Sequence, residues 1–138
     1  MNVDSIKNGI VIDHITAGKG MELYHLLGLE LLDCSVALIK NVASRKSGKK
    51  DIIKIDTVFD VDTDILGFVD PDVTVNIIKD GRIAEKKTID LPHELTNVLE
   101  CKNPRCISST EQELPQIFRL TDKEHRVYRC IYCEKKAK

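Results

Sequence analysis

The sequence predicts an α+β protein, with a sheet domain at the N-terminus and a small all-β domain at the C-terminus. Strand and helix patterns alternate through the first two thirds of the chain. The stretch "IDLPHELTNV" (89–98) interrupts these patterns. Beyond it, four of the five cysteines fall in two close pairs. We therefore expect two domains, at 1–91 and 97–138, the second depending on its cysteines for stability.

The first half of the N-terminal domain contains apolar residues at spacings typical of strands and helices. "GIVIDHI" (9–15) is rich in β-branched residues and predicts a strand. "GMELYHLLGLELL" (20–32) has apolar residues at helical spacing, with Gly28 ending or interrupting the helix. Two further strands, "SVALIKNV" (35–42) and "DIIKIDTVF" (51–59), are joined by "ASRKSGKK" (43–50), which predicts an exposed hairpin loop.

The rest of this domain completes a sheet. "DTDILGFVDPD" (62–72) predicts a short helix before Pro71, and "VTVNIIK" (73–79) and "RIAEKKTI" (82–89) predict strands. The Asp-Gly pair between these strands is a strong hairpin signal because both residues tolerate positive φ. We therefore expect a mixed or antiparallel sheet with two helices on one face, of the ferredoxin-like type.

The cysteine spacing is Cys101-x4-Cys106-x23-Cys130-x2-Cys133. Two close pairs on separate turns can converge on one tetrahedral ion, and four thiolates in a small β domain favour Zn²⁺. Such a closed shell predicts a structural site, because it leaves no position for water or substrate. The alternatives are buried free thiols or a redox pair at the last two cysteines, which lacks the usual βαβ context. Cys34 is expected to be a small buried apolar residue.

The chain shows no signal-peptide pattern and no transmembrane run, so we expect a cytoplasmic protein without disulfides or membrane contact. Its net charge is −1. Residues 92–138 hold nine basic and seven acidic residues, and a four-thiolate zinc site would bring this segment close to neutrality. Such a tail favours a protein partner over nucleic acid. A zinc-ribbon protein that binds nucleic acid remains the alternative.

The polar residues of the first domain predict no familiar catalytic or phosphate-binding motif. "ASRKSGKK" resembles the end of a P-loop, but Ala43 and Lys50 stand where Gly and Ser or Thr belong. Asp13, His14, Lys54 and Lys86 would suit a phosphorylated, hydroxylated ligand if the fold brings them together. Otherwise they are the solvent-facing members of their strands.

The sequence resembles the regulatory chains of aspartate carbamoyltransferase along essentially its whole length. The resemblance is carried by "IKNGIVIDHI", "GKKDIIKID", "TVNII", "NVLECKNPRCIS" and "CIYCEK", together with the cysteine spacing. It implies a non-catalytic subunit whose N-terminal domain dimerises and binds CTP, UTP and ATP. It also implies that the zinc domain docks on a catalytic chain and transmits the nucleotide signal, so that regulatory dimers bridge catalytic trimers.

The resemblance also assigns residues. It implies that Asp13 and His14 lie on the ribose and phosphate side of the effector, that Lys54 reaches the base and ribose, and that Lys86 reaches the phosphates. The remaining effector residues would be Val3 and Ile6 beside the base, Asn76 and Ile78 lining the pocket, and Lys50 near a second nucleotide. The surface facing the catalytic chain would include Asn103, Arg105, Glu134 and Lys135.

The sequence departs from the family at four positions. Gly81 stands where the family has a Tyr beside the base, and Thr88 where it has an Arg near the strand end. Arg105 and Ile131 replace an Asn and a Lys between cysteines. The first two changes bear on base selectivity, and the last two on the contact with the catalytic chain.

Overall fold

The computed structural model describes residues 6–46 and 48–137. These form two compact units, Met1–Asp90 and Leu91–Lys138. The first unit consists of β1 (Gly9–Thr16), α1 (Gly20–Leu26), β2 (Val36–Ser44), β3 (Gly48–Ile55), α2 (Thr63–Val69), β4 (Thr74–Lys79) and β5 (Arg82–Thr88). Its five strands lie in the order β2-β3-β1-β4-β5, and all neighbours are antiparallel. The predicted α+β fold is confirmed. No helix in the described ranges is long and apolar enough to cross a membrane.

One face of this sheet carries the core of the first unit. Ile10 and Ile12 of β1 and Ile53 of β3 are fully buried, and they belong to one cluster with Leu23 of α1 and Leu66 of α2. Burying a side chain of this size contributes about 2 kcal/mol. Because strand side chains alternate between faces, the residues between these isoleucines point to the other face. The polar residues of interest therefore share the face opposite the core.

The helix α1 ends at Leu26, close to Gly28 as the sequence predicted, because Gly28 adopts a left-handed conformation (φ 67°) and a 3₁₀ turn follows. Two other boundaries differ from the sequence-based expectation. β3 ends at Ile55 rather than at residue 59. Its pairing with both neighbouring strands stops there, at Ile10 of β1 and Val36 of β2. The expected loop 43–50 is mostly strand, because the β2–β3 ladder continues to its tip.

The second unit is a three-stranded antiparallel sheet with one short helix. It contains β6 (Glu94–Thr96), α3 (Ile107–Thr110), β7 (Ile117–Asp122) and β8 (Val127–Cys130), with strand order β6-β7-β8. Leu95, Phe118 and Tyr128 are buried, and the Tyr128 hydroxyl donates to the Pro92 carbonyl at 2.7 Å. Neither β6 nor α3 was expected. The unit begins at 91 rather than 97 because β6 pairs with β7.

Candidate functional site

The second unit brings its four cysteine sulfurs together. All four Sγ atoms lie within 4.8 Å of one another, with Cys101 and Cys133 at 3.6 Å and Cys106 and Cys130 at 3.7 Å. Disulfide sulfurs would be about 2.05 Å apart. A tetrahedral ion about 2.3 Å from each sulfur requires sulfurs about 3.8 Å apart. The residues therefore fit a metal ion with four thiolate ligands.

Hydrogen bonds lower the pKa of two of the four thiols. Burial raises the pKa of the Cys106 thiol, but the Ser108 hydroxyl, 3.0 Å from Cys106 Sγ, acts together with the Ser108 backbone N–H and the Cys130 thiol to hold that pKa below its ordinary value. The backbone N–H of Lys135 lowers the pKa of Cys133 to about 6, whereas burial raises that of Cys101 to about 12. Neighbouring thiols without a cation cannot all ionise together, and a divalent ion removes that conflict.

The two cysteine loops are shaped by their own hydrogen bonds. In the first loop the Asn103 side chain accepts from the Arg105 N–H at 3.1 Å, and its carbonyl accepts from the Cys106 N–H at 3.1 Å. In the second, Glu134 adopts positive φ (66°) and donates its N–H to the Cys130 carbonyl at 2.8 Å. The side chains of Arg105, Glu134 and Lys135 remain exposed on these loops, and Asn103 is half-buried.

Two supporting residues were not identified from the sequence. Ser108 is buried beside Cys106, and its carbonyl accepts from the Gln116 amide at 2.6 Å. The side-chain oxygen of Gln116 accepts a hydrogen bond from the Cys101 N–H at 3.0 Å. Gln116 therefore ties the first cysteine to the helix that follows the second. The serine next to the cysteine motif is the only sequence signal for this arrangement.

In the first unit, strand register aligns three of the polar residues named from the sequence. Val11 of β1 is paired with Lys54 of β3 on one side and with Asn76 of β4 on the other. Asn76 is in turn paired with Lys86 of β5. These four residues form a row across the face opposite the core, called here the Lys54–Lys86 row. Among the described residues, Asn76 Oδ1 is the buried side-chain acceptor without a hydrogen-bond partner.

A bulge in β1 presents Asp13 and His14 beside this row. The register with β3 shifts between Ile12 and Ile15, and His14 has a φ of 59°. Bulges commonly re-aim side chains next to functional sites. The His14 N–H donates to the Asp13 carboxylate at 2.7 Å, and its ring Nδ1 lies 3.2 Å from the Thr74 hydroxyl. The bulge therefore brings an imidazole and a carboxylate to the same face.

Lys50 neutralises Asp13. Its ammonium lies 2.9 Å from the Asp13 carboxylate, and both side chains are about four-fifths buried. Burial raises the pKa of Asp13, but the hydrogen bonds from Lys50 and from the His14 N–H, with the Lys50 charge, outweigh it. The pKa of Asp13 is therefore held below its ordinary value of 3.8. The carboxylate stays ionised at neutral pH.

Open grooves lie on both sides of these residues. One, of about 430 Å³, is lined by Ile6, Val11, Ile78 and Ile83, with Lys7, Lys54 and Gly81. Another, of about 530 Å³, is lined by His14, Thr16, Ala17, Lys46, Gly48, Lys49 and Asp72. Both volumes are within the range of small-ligand sites. The first groove is mostly apolar, and the second is rich in cationic groups. Val3, also named from the sequence, lies outside the described residues.

Two buried carboxylates that the sequence did not single out shape this face. Asp51 is fully buried and accepts backbone N–H bonds from Gly18, Gly20 and Asn41 at 3.0 to 3.1 Å. Asp70 accepts the Thr16 N–H at the end of β1. These bonds hold the C-terminal end of β1, the turn from β1 into α1, and the irregularity in β2 between Ile39 and Val42. Both aspartates are therefore structural.

Family models cover nearly the whole chain. The model described as aspartate carbamoyltransferase regulatory chain, allosteric domain, matches residues 1–90. The model described as aspartate carbamoyltransferase regulatory chain, metal binding domain, matches residues 93–138. The two matches divide the chain close to the boundary between the structural units.

Curated relatives agree with these matches. A chain from Clostridium botulinum is 51% identical over 134 residues, covering 97% of this chain and 92% of the relative. One from Clostridium tetani is 50% identical, covering 97% and 94%. One from Bifidobacterium longum is 43% identical, covering 100% and 99%. All three are named aspartate carbamoyltransferase regulatory chain.

Proposed function

Since the chain belongs to the family of aspartate carbamoyltransferase regulatory chains and contains both its allosteric and its metal-binding domain, we propose that it binds nucleoside triphosphates on the open face of its first sheet. CTP, UTP and ATP are the effectors, and the response passes to a catalytic chain. The chain is a regulatory subunit rather than an enzyme. It works in the cytoplasm, where thiols stay reduced and available to metal.

The observation that carries this proposal is the Lys54–Lys86 row. It combines two cations with an unsatisfied acceptor, Asn76 Oδ1, which costs free energy unless a ligand donor reaches it. A ribose hydroxyl or an exocyclic base amine is such a donor. We propose that Lys86, at the edge of the sheet, binds a phosphate and that Lys54 binds the base and ribose.

The grooves beside the row suit the two ends of a nucleotide. Ile6 and Ile78 line the apolar groove, which suits the base. On the other side, His14, the neighbour of Asp13, lines the groove that contains Lys46 and Lys49, and these cationic groups suit phosphate oxygens. Val3 would add to the base end. Lys50 is paired with Asp13, so it would affect the binding of a second nucleotide only indirectly, by neutralising the Asp13 carboxylate.

Gly81 and Thr88 would loosen the selection of the base. Gly81 lines the apolar groove without a side chain, so it offers no ring for the base to stack on. Thr88 pairs across the sheet with Thr74, the partner of His14. Base selectivity would then depend on the amide of Asn76 and on Lys54.

We assign Zn²⁺ to the four cysteines because tetrahedral, all-thiolate sites in small β units favour it. Cys101, Cys106, Cys130 and Cys133 would complete its shell, so its role is structural. The ion would hold the two loops that expose Asn103, Arg105, Glu134 and Lys135, and these loops would contact the catalytic chain. Two regulatory chains would pair through their first units.

Transmission then follows from linkage. A nucleotide changes the activity of the catalytic chain only by binding one quaternary state more tightly than the other. A coupling of about 1–3 kcal/mol is ordinary for such effects.

The decisive experiment is a titration of CTP and of ATP into the protein mixed with its catalytic chain, following carbamoyl transfer to aspartate. We expect a stable complex whose aspartate saturation curve shifts with nucleotide. A complex that forms but whose activity responds to neither CTP nor ATP would contradict the effector assignment. No complex at all would contradict the regulatory role.

A further inference from the structure

The second unit has a row of charged residues that the function above does not use. Antiparallel register places Glu94 of β6 opposite Arg119 of β7, and Arg119 opposite Arg129 of β8. A bridge places Lys136 opposite Arg129. We call these four residues the arginine row. They are exposed, whereas the neighbouring Phe118 and Tyr128 are buried on the other face.

The charges in this row are not balanced within the unit. Three cations face one carboxylate, and like charges directly opposite one another destabilise a sheet. In the part of the chain that the structure describes, neither arginine forms an ion pair. Arg129 donates only to a neutral acceptor, the Glu134 carbonyl, at 3.1 Å. The net charge of the row is +2, so it offers two guanidinium forks to an anion.

The row also adjoins a cysteine loop. A groove of about 450 Å³ is lined by Arg119, Thr121, Arg129, Cys130, Ile131 and Glu134. Its floor therefore includes a cysteine of the metal cluster and the loop assigned above to the catalytic chain.

We propose that the arginine row binds surface carboxylates of the catalytic chain, with Arg119 and Arg129 forming a two-pronged clamp. The inference rests on the proposed regulatory function, because it needs the catalytic chain as partner. It extends the docking surface from the cysteine loops onto the exposed face of the three-stranded sheet. Carboxylates fit better than a nucleic-acid backbone, because the groove is short and its lining contains no aromatic side chain on which a base could stack.

The test is the affinity of the full chain for catalytic trimers, measured by sedimentation at low and high ionic strength. Arg119→Gln and Arg129→Gln should each weaken binding by about tenfold. The double variant should also lose most of the salt dependence, because the carboxylate contacts supply it. A double lysine variant should recover the salt dependence but only part of the affinity, since lysine lacks the planar fork.

The matched control is Arg126→Gln, an exposed arginine in the turn between β7 and β8. It should leave affinity unchanged. Metal content and thermal unfolding of each variant verify that the sheet is intact.

Unchanged affinity in the double glutamine variant, with wild-type protein still forming the complex, would overturn the clamp and leave the regulatory function standing. The clamp would also be overturned if the double glutamine variant kept its affinity for catalytic trimers but lost nucleic-acid binding or regulatory-chain self-association. Failure of the wild-type protein to bind trimers would instead contradict the regulatory function itself.

Discussion

We predict that Lys86 contributes to phosphate recognition and not to recognition of the nucleoside. It lies at the exposed end of the Lys54–Lys86 row, on the edge strand β5. We predict that Lys86→Ala weakens binding of CTP and ATP by about five- to tenfold, as loss of one exposed charge contact would. Cytidine and adenosine should lose little. Calorimetric titration of all four ligands measures the difference.

The control for that prediction is the adjacent residue. Lys87 is paired with Val75 on the other face of the sheet and lies 3.9 Å from Glu85. Lys87→Ala should leave triphosphate affinity close to wild type. If Lys86→Ala reduced nucleoside and triphosphate binding equally, Lys86 would not reach phosphate.

The Asp13–Lys50 pair makes a pH-dependent contribution to folding. The pKa of Asp13 is lowered from 3.8 in the folded chain, so the folded state binds fewer protons than the unfolded state around that pH. The pair's contribution, about 1 kcal/mol, is present above the unfolded pKa and is lost as pH falls through the lowered one. Lys50→Met should therefore reduce the free energy of unfolding at neutral pH, and progressively less in acid.

Urea unfolding of wild type and Lys50→Met from neutral to acid pH checks this expectation. Lys40→Met, at an exposed position of the neighbouring strand β2, is the matched control. A difference between wild type and Lys50→Met that stays constant down to strongly acid pH would show that Asp13 and Lys50 are not coupled.

Buried aspartates mark the limit of sequence analysis at the scale of the residue. Asp51 opens the apolar run "DIIKI" and resembles an ordinary polar strand end. Its importance comes from three backbone N–H donors that are 10 to 33 positions away in the chain. No local pattern reveals such partners. Cysteine spacing, in contrast, is a local signal, and the predicted four-sulfur cluster is confirmed.

At the scale of the element, strand identity was predictable but register was not. Alternation located β1, β4 and β5, and the Asp-Gly turn predicted the hairpin between the last two. Whether Lys54, Asn76 and Lys86 meet depends on pairing between strands, and a slip of one residue would send each to the opposite face. The structure shows them in one row. From the sequence alone, we could say only what these residues would bind if the fold brought them together.

Bulges and short elements were the main omissions. The extra residue in β1 that presents His14 interrupts an otherwise regular apolar alternation, and no glycine marks it. β6 has three residues next to Pro92, so it resembles a linker. Its pairing with β7 stabilises it, and that pairing is a tertiary contact. Local propensity is too weak to predict an element of this length.

For the whole molecule, the division into two units predicts that metal and nucleotide act independently in binding. The four cysteines belong to Leu91–Lys138, and the open face of the first sheet belongs to Met1–Asp90. We predict that stripping Zn²⁺ abolishes binding to catalytic trimers and leaves CTP affinity within about twofold. Zinc content, sedimentation with catalytic trimers and CTP titration together measure this.

The physical reason lies in how each unit is stabilised. The first unit has a continuous apolar core of its own, from Ile10 on β1 to Leu66 on α2. The second has fewer than 50 residues, and a bound structural metal supplies folding free energy at that size. Cys106→Ala should reproduce the effect of metal removal. Cys34→Ala, at a half-buried cysteine outside the cluster, should not. Metal-free protein that still binds trimers would show that the loops hold their shape without the ion, whereas loss of CTP binding would show that the units are not independent.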